Sequence, residues 1–499
     1  MPAETMSKRN YGHWIGGSSV TSASGAVFEA TDPTTGKAWG TFAAGAAEDV
    51  DRAVRTAQNA FASKAWKSLT PTKRGRLVMK WADLIAANGE RLARIETEQN
   101  GKLLGEMTAQ FRVIPEWMYY YGGLADKIEG AVIPVNVPNV LNYTLREPFG
   151  VVAVLTPWNS PTFLTMQAVA PAVAAGNTVV IKPSEVTSAS IVEVAKLAEE
   201  AGFPPGVINV VTGERDAGAA LVDHPMVRKI TFTGGVDAGR QIAEKAGKRL
   251  VPVTLELGGK SPQIVFADAN LDAAEAGLLA GIFAAAGQSC AAGSRAYIEA
   301  KIYDEMVERL VGRTKKIRLG NPLEAATQMG PVATQNQLQK DRSMVERAVA
   351  EGAEVLTGGK DAKVPGLAGG FFFEPTILGG VGNDSHLARN EVFGPVLGIA
   401  RFDSVDEALA KANDSRFGLA AGIWTKDIHK AHRFAAGVEA GTVWINMYRA
   451  IGFISPYGGY KDSGIGRLNG FECMSQFLQT KSVWCDLSDT PQDPFVIKV

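Results

Sequence analysis

The chain has 499 residues, enough for about two to four domains with large cores. Its 51 basic and 52 acidic side chains leave a net charge of −1, so we expect no nucleic-acid partner and no anionic membrane surface. Hydrophobic residues make up 46% and charged residues 21%, which excludes collagen, coiled-coil and disordered classes.

The cysteine content indicates a reducing compartment. Cys290, Cys473 and Cys485 are too few, and odd in number, for a disulfide framework, so we expect a cytoplasmic protein. No run of about 18 apolar residues is present, and the start of the chain lacks the apolar core of a signal peptide. His429 and His432 are separated by three positions without a third ligand nearby, so we predict no metal site.

The first half of the chain predicts an α/β domain. An amphipathic helix is predicted over 48–61, and a second helical pattern lies over 191–198. Four short runs read as buried strands, at 150–155, which is continuously apolar, and at 178–181, 207–211 and 229–233. Strands alternating with helices indicate a doubly wound parallel sheet, which binds ligands beyond the carboxyl ends of its strands. The polar or glycine-rich segments that follow these strands are 157–161, 182–185 and 234–239.

A second α/β region is predicted from about Leu255. Residues 264–266 read as a strand, and Ser404 with Glu407 reads as a capping box opening a helix. The glycine-rich stretch 357–370 reads as a surface loop. The polar sequence after Lys481, through Pro491 and Pro494, is expected to be an extended tail on the surface or on a neighbour.

Three residues together indicate covalent catalysis. Cys290 lies among small residues, where a substrate could approach its sulfur, although an isolated cysteine is more often an inert buried thiol. Glu256 lies in an apolar, glycine-rich strand end, where a paired structural carboxylate is equally plausible. Asn159 follows a strand as a potential oxyanion donor, or as an ordinary turn residue. Nucleophile, base and oxyanion donor form a complete set.

Seven ordered motifs resemble the NAD(P)-dependent aldehyde dehydrogenase superfamily, and the resemblance extends from Trp14 to about Val483. The motifs are Pro157–Pro161, Lys182–Glu185, Phe232–Gly235, Leu255–Pro262, Gly287–Arg295, Glu391–Pro395 and Pro456–Arg467. The resemblance implies NAD-dependent oxidation of an aldehyde to a carboxylic acid. Cys290 would attack the aldehyde to give a thiohemiacetal and then a thioester, Asn159 would bind the oxyanion, and Glu256 would activate the hydrolytic water.

The resemblance also implies the domain organisation. An aldehyde dehydrogenase-like α/β fold would comprise a Rossmann-type NAD-binding domain (1–127 and 149–257), an α/β catalytic domain (258–470) and a small β oligomerisation arm (128–148 and 471–499). The arm would combine a β-hairpin with a C-terminal strand after Gln479. A homodimer or homotetramer is therefore expected.

The resemblance assigns NAD, rather than NADP, to a set of cofactor-binding residues. Lys182 and Glu185 would bind the adenosine ribose, where a carboxylate disfavours a 2′-phosphate. The helix that opens after Gly235 would face the pyrophosphate, and Glu391 with Phe393 would hold the nicotinamide ribose and ring. The full set is Thr156, Pro157, Trp158, Lys182, Ser184, Glu185, Thr233, Gly234, Gly235, Gly239, Leu257, Gln337, Glu391 and Phe393.

Three positions depart from the family pattern. Gly235 replaces a frequent serine at the phosphate turn, and Leu468 replaces a frequent glutamate after Arg467. Ser160 replaces an aromatic residue of several relatives, which predicts a more open or more polar substrate funnel.

Two alternatives to NAD-dependent aldehyde oxidation are left open. One is a coenzyme A-acylating semialdehyde dehydrogenase, which would not need Glu256, and the other is a catalytically inactive cofactor-binding protein of the same fold.

Overall fold

The computed structural model describes residues 9–489 and residue 495. The strands are β1 (Arg9–Tyr11), β2 (His13–Ile15), β3 (Ser18–Val20), β4 (Val27–Asp32), β5 (Lys37–Ala43), β6 (Val132–Ile133), β7 (Val140–Pro148), β8 (Val151–Thr156), β9 (Thr178–Pro183), β10 (Ile208–Val210), β11 (Val227–Thr233), β12 (Val253–Glu256), β13 (Pro262–Val265), β14 (Arg295–Glu299), β15 (Glu354–Thr357), β16 (Thr376–Gly379), β17 (Val396–Phe402), β18 (Phe417–Gly418), β19 (Ala420–Trp424), β20 (Thr442–Ile445), β21 (Tyr460–Lys461), β22 (Gly464–Ile465) and β23 (Leu478–Asp486).

The α-helices are α1 (Ala47–Ala62), α2 (Lys64–Lys67), α3 (Pro71–Ala87), α4 (Gly89–Asn100), α5 (Leu104–Leu124), α6 (Pro161–Ala174), α7 (Ala189–Ala201), α8 (Arg215–Asp223), α9 (Val236–Lys248), α10 (Leu271–Phe283), α11 (Tyr303–Thr314), α12 (Gln335–Ala350), α13 (His386–Arg389), α14 (Val405–Asn413) and α15 (Ile428–Gly437). The helix predicted over 48–61 is confirmed as α1, and the pattern over 191–198 lies within α7. No described helix is both long and apolar enough to cross a membrane.

The first large sheet has the strand order β22-β12-β11-β8-β9-β10-β2-β3. Its five central strands run parallel, as predicted, and β8, β9 and β10 are buried along their whole length, as expected for strands covered by helices on both faces. The two edges of the sheet differ from the predicted all-parallel arrangement. At one edge β2 pairs antiparallel with β10 and with β3, and at the other β22 pairs antiparallel with β12. The antiparallel edge strand β22 brings the segment around 464–465 back beside Glu256.

The second large sheet has the order β15-β16-β17-β14-β13-β19-β20 and is parallel except at β15. It confirms the second α/β region, with β13 at the strand predicted over 264–266. Ser404 Oγ accepts a hydrogen bond from the Glu407 amide as expected. The return bond differs from a capping box, because the Glu407 carboxylate accepts from the amide of Asp403 rather than Ser404.

A three-stranded antiparallel sheet joins the predicted hairpin to the C-terminal strand, in the order β23-β7-β6. Strand β23 pairs with β7 continuously from Leu478 opposite Pro148 to Asp486 opposite Val140. The predicted tail residues Pro491 and Pro494 lie outside the described residues. Cores of buried apolar side chains lie on both faces of each large sheet, so polar side chains buried beyond the strand ends need a separate explanation.

Candidate active site

Asn159 connects the first sheet to the loop that carries Cys290. It lies in the turn between β8 and α6, and its side chain is buried. Its Nδ2 donates a 3.0 Å hydrogen bond to the backbone carbonyl of Gln288, two residues before Cys290. The structure therefore brings together two of the three residues predicted for catalysis.

The loop before Cys290 has an unusual backbone that several contacts hold in place. Ala285 and Ala286 have φ of 57° and 51°, left-handed values that cost energy for residues with a Cβ. Glu106 Oε1 accepts a 2.8 Å bond from the Ala285 amide. Gln288 Oε1 accepts a 2.8 Å bond from the Ala333 amide, while its Nε2 donates to Ala285 O. These bonds fix the direction in which the loop presents its cysteine.

Cys290 has a neighbour that the sequence analysis missed. The Tyr457 hydroxyl lies 3.6 Å from the Cys290 sulfur; Tyr457 is buried and Cys290 is half-buried. Burial raises the pKa of the Cys290 thiol, whereas the hydrogen bond from Tyr457 lowers it. Burial also raises the pKa of Tyr457 well above its usual value, so the phenol keeps its proton and acts as a donor. Reciprocal backbone bonds of 2.8 Å to Leu468 hold Tyr457 in position.

Glu256 ends β12 and lies beside this pair. Its carboxylate oxygens are buried and have no hydrogen-bond partner in the described part of the chain. Burial raises the Glu256 pKa well above its usual range, and the charge of Arg467 opposes this only in part. A Cβ on Gly458, the residue after Tyr457, would lie 2.9 Å from Glu256 Oε1, which places this carboxylate close to the Tyr457–Cys290 pair. An unpartnered buried carboxylate is costly for stability, which favours the catalytic interpretation over the structural one.

A cleft of about 450 Å³ opens at the carboxyl edge of the first sheet. The predicted cofactor residues that line it are Thr156, Pro157, Trp158, Lys182, Ser184, Glu185, Thr233, Gly234 and Gly235. Lys182 Nζ lies 3.4 Å from Glu185 Oε2, and Glu185 is 46% exposed. The sequence analysis missed Arg215 and Lys245, which also line the cleft. Arg215 begins α8 and Lys245 lies in the last turns of α9, so the packing of these helices, rather than a local sequence signal, places them here.

The remaining predicted cofactor residues lie outside the cleft lining. A Cβ on Gly239 would lie 2.5 Å from the Leu257 side chain, so this glycine permits close packing of α9 on Leu257. Glu391 Oε1 accepts a 2.9 Å bond from the Gly259 amide, and the Phe393 ring packs edge-on against Trp158 at 5.3 Å. Gln337 Nε2 donates to the carbonyl of Val392, which places this amide next to Glu391.

Comparisons with known proteins identify the family. The model of the "Aldehyde dehydrogenase family" matches residues 20–483. The chain belongs to the aldehyde dehydrogenase family. A (Z)-2-((N-methylformamido)methylene)-5-hydroxybutyrolactone dehydrogenase from Acinetobacter baylyi is 44% identical, over 95% of this chain and 97% of that protein. A betaine aldehyde dehydrogenase from Mesorhizobium japonicum is 40% identical, over 96% of this chain and 97% of that protein.

Solved structures agree with this assignment. The crystal structure of a betaine aldehyde dehydrogenase from Staphylococcus aureus, in complex with NAD+, superposes with a TM-score of 0.96 at 38% identity, covering 98% of this chain and 97% of that one. The predicted family and α/β fold class are thus confirmed. The chain is therefore an enzyme that oxidises aldehydes with a nicotinamide dinucleotide.

Replacing Tyr457 with phenylalanine tests its contact with the nucleophile. The Tyr457→Phe variant removes the hydroxyl donor, and hydrogen bonds to charged groups contribute about 1.5–3 kcal/mol. We therefore expect iodoacetamide to alkylate Cys290 about tenfold more slowly at pH 7, with the midpoint of the rate–pH profile moved to higher pH. Tyr448→Phe is the matched control, because the Tyr448 hydroxyl donates to the Ala291 carbonyl instead. An unchanged Tyr457→Phe profile would contradict this role.

Proposed function

We propose that Cys290 is the nucleophile and that Asn159 donates to the oxyanion formed by its attack. The thiolate adds to the aldehyde carbon, and the carbonyl oxygen becomes negatively charged. The observation that carries this proposal is the bond from Asn159 Nδ2 to the Gln288 carbonyl, because it holds an amide donor beside the nucleophile's loop. The donor is already oriented, so little reorganisation is needed when the charge develops.

Glu256 is proposed as the base that activates water for thioester hydrolysis. Its unpartnered oxygens are available to take a proton, and its raised pKa favours keeping that proton until product leaves. The water oxygen bonds to the thioester carbon, the carbon–sulfur bond breaks, and the carboxylic acid is released. A coenzyme A-acylating enzyme would need no such base.

The cleft fits the proposed cofactor NAD. Helix α9 starts after Gly235, which offers no side-chain cap, so amides of its first turn are left for a pyrophosphate. Lys182 and Glu185 would hold the adenosine ribose, and Glu391 and Phe393 would hold the nicotinamide end. The bound nicotinamide supplies the acceptor for the hydride that leaves the substrate carbon. We propose NAD over NADP because Glu185 would repel a 2′-phosphate.

The assembly and domain boundaries are also proposals. The β23-β7-β6 sheet exposes several apolar side chains, among them Trp484 at 60% and Val132 at 72%. A second subunit that covers this arm would form the expected dimer or tetramer. In sequence, the first segment of the arm interrupts the proposed nucleotide-binding domain, and its second segment follows the proposed catalytic domain. A cytoplasmic location agrees with the three free cysteines.

The Glu256→Gln variant separates the two halves of the proposed reaction. The amide nearly preserves the shape of the carboxylate but cannot take a proton from water. Rapid mixing with NAD and an aldehyde should show a burst of NADH near one equivalent per site, followed by steady turnover at least about a hundredfold slower than wild type. Equal slowing of both phases would show that Glu256 instead activates Cys290.

Adding coenzyme A to the wild-type enzyme should leave turnover unchanged, whereas an acyl-coenzyme A product would favour the acylating alternative.

Cofactor preference tests the role of Glu185. Wild type should prefer NAD by roughly tenfold or more in kcat/KM, which corresponds to about 1.4 kcal/mol. Glu185→Thr should narrow the gap, since it removes the charge while Lys182, Arg215 and Lys245 remain. Glu214→Gln, which removes a nearby carboxylate outside the cleft lining, is the control. An unchanged cofactor ratio in Glu185→Thr would contradict the ribose assignment.

A further inference from the structure

Ser160, next to the proposed oxyanion donor, does not perform the usual task of its position. It is the N-cap residue of α6, where serine normally accepts a bond from the helix's first amides, yet it makes no such side-chain bond. The buried Glu96 carboxylate takes over that task, because its Oε1 accepts a 3.0 Å bond from the Thr162 amide. The Ser160 hydroxyl is therefore available for another purpose.

Two donors from neighbouring segments converge on this hydroxyl. Lys102 Nζ lies 3.0 Å from Ser160 Oγ, and Gln110 Nε2 lies 3.1 Å from the same atom. Lys102 is 4% exposed, so this is a built interior contact rather than a surface encounter. Ser160 Oγ is the only hydrogen-bond acceptor that the described residues offer to Lys102 Nζ.

This arrangement has more donors than acceptors. Lys102 has three N–H groups and uses one of them, so two are left. Gln110 Oε1 is buried without a partner, and exchanging the oxygen and nitrogen of this amide would leave a free N–H instead. When Ser160 accepts from both neighbours, its own O–H is also left. In the first orientation the free donors outnumber the one free acceptor, Gln110 Oε1, and after the exchange the free groups of Lys102 and Gln110 are all donors.

The acidic groups around Lys102 do not supply that oxygen. Glu106 directs its two oxygens to the amides of Leu103 and Ala285, and Glu96 is used at the start of α6. No carboxylate of the described residues lies within ion-pair distance of Lys102 Nζ. Burial lowers the Lys102 pKa to about 8, as expected for a cation without a close counter-ion.

The cluster is also close to the reacting atoms. Ser160 is the neighbour of Asn159, so their Cα atoms are about 3.8 Å apart. The Glu106 carboxylate accepts from the amide of Leu103, next to Lys102, and from the amide of Ala285, in the loop before Cys290, so one side chain links the cluster to that loop. A substrate group a few bonds from the aldehyde carbon would therefore reach these donors.

We propose that Lys102, Ser160 and Gln110 form a donor-rich subsite that selects short aldehydes carrying a second, hydrogen-bond-accepting oxygen, with a carboxylate preferred. The proposal rests on the dehydrogenase site described above. It names a substrate class, the ω-oxo acids and their amides, rather than one metabolite. A carboxylate supplies an acceptor for each free donor and a counter-charge for Lys102, which a hydrocarbon chain does not.

Substrates matched in length test the subsite in the purified full-length enzyme with NAD. We expect kcat/KM to fall from 4-oxobutanoate to 4-oxobutanamide to butanal, with at least about tenfold between the first and the last. Trimethylammonioacetaldehyde, a cation, should be no better than butanal. Equal values for 4-oxobutanoate and butanal, or a preference for the cation, would overturn the proposal.

Two variants locate the preference in the cluster. Lys102→Met and Gln110→Leu should each lower kcat/KM for 4-oxobutanoate about tenfold while keeping that for butanal within about threefold. Lys127→Met is the control, since Lys127 is exposed near the end of α5. A variant that lowered both substrates equally would contradict the subsite, and Gln110→Leu decides the matter if Lys102→Met does not fold. Wild-type enzyme that forms no NADH with any of these aldehydes would overturn the proposed function as well, whereas equal use of all of them would overturn the subsite alone.

Discussion

The site depends on one hydrogen bond between a sheet edge and a loop. Asn159 Nδ2 donates to the Gln288 carbonyl, and this bond joins the turn after β8 to the segment that carries Cys290. Without this bond, the left-handed backbone at Ala285 and Ala286 would be held only by the Glu106 carboxylate and by the side-chain bonds of Gln288. A loop held in a costly conformation from several directions has little freedom, which is the requirement for placing a nucleophile beside an oxyanion donor.

Some of the buried polar groups without partners belong to the residues proposed for this chemistry. Glu256 has two such oxygens and Gln110 has one, although both residues are near cores that exclude water. Each would destabilise the fold if it had no further role, because desolvation is not offset by a hydrogen bond. The apolar strands of the two large sheets offset that cost, and their rigidity keeps the polar groups aimed at a common space.

Local sequence signals predicted the strands and the catalytic residues, but not the contacts between them. The run at 150–155 is continuous and apolar, and 229–233 alternates polar with apolar residues, so β8 and β11 were predictable from the sequence pattern. The motifs singled out Cys290, Glu256 and Asn159. Tyr457 lies within one of the recognised motifs, but its contact with the Cys290 sulfur depends on the tertiary structure, in which β22 pairs with β12. Lys102 and Gln110 carry no motif, and Arg215 reaches the cleft only through the packing of α8. Contacts across 50 or more positions, such as Gln110 with Ser160, depend on tertiary structure rather than on local pattern.

Mass spectrometry tests directly whether Cys290 carries the acyl group during turnover. Glu256→Gln enzyme mixed with NAD and butanal, quenched in acid within the burst, should gain the mass of the aldehyde less two hydrogen atoms. Peptide mapping should place that mass on the peptide containing Cys290, and not on those containing Cys473 or Cys485. A gain of the whole aldehyde mass would indicate an unoxidised thiohemiacetal. No gain, or a gain on another residue while NADH is formed, would contradict the assignment of Cys290 as the nucleophile.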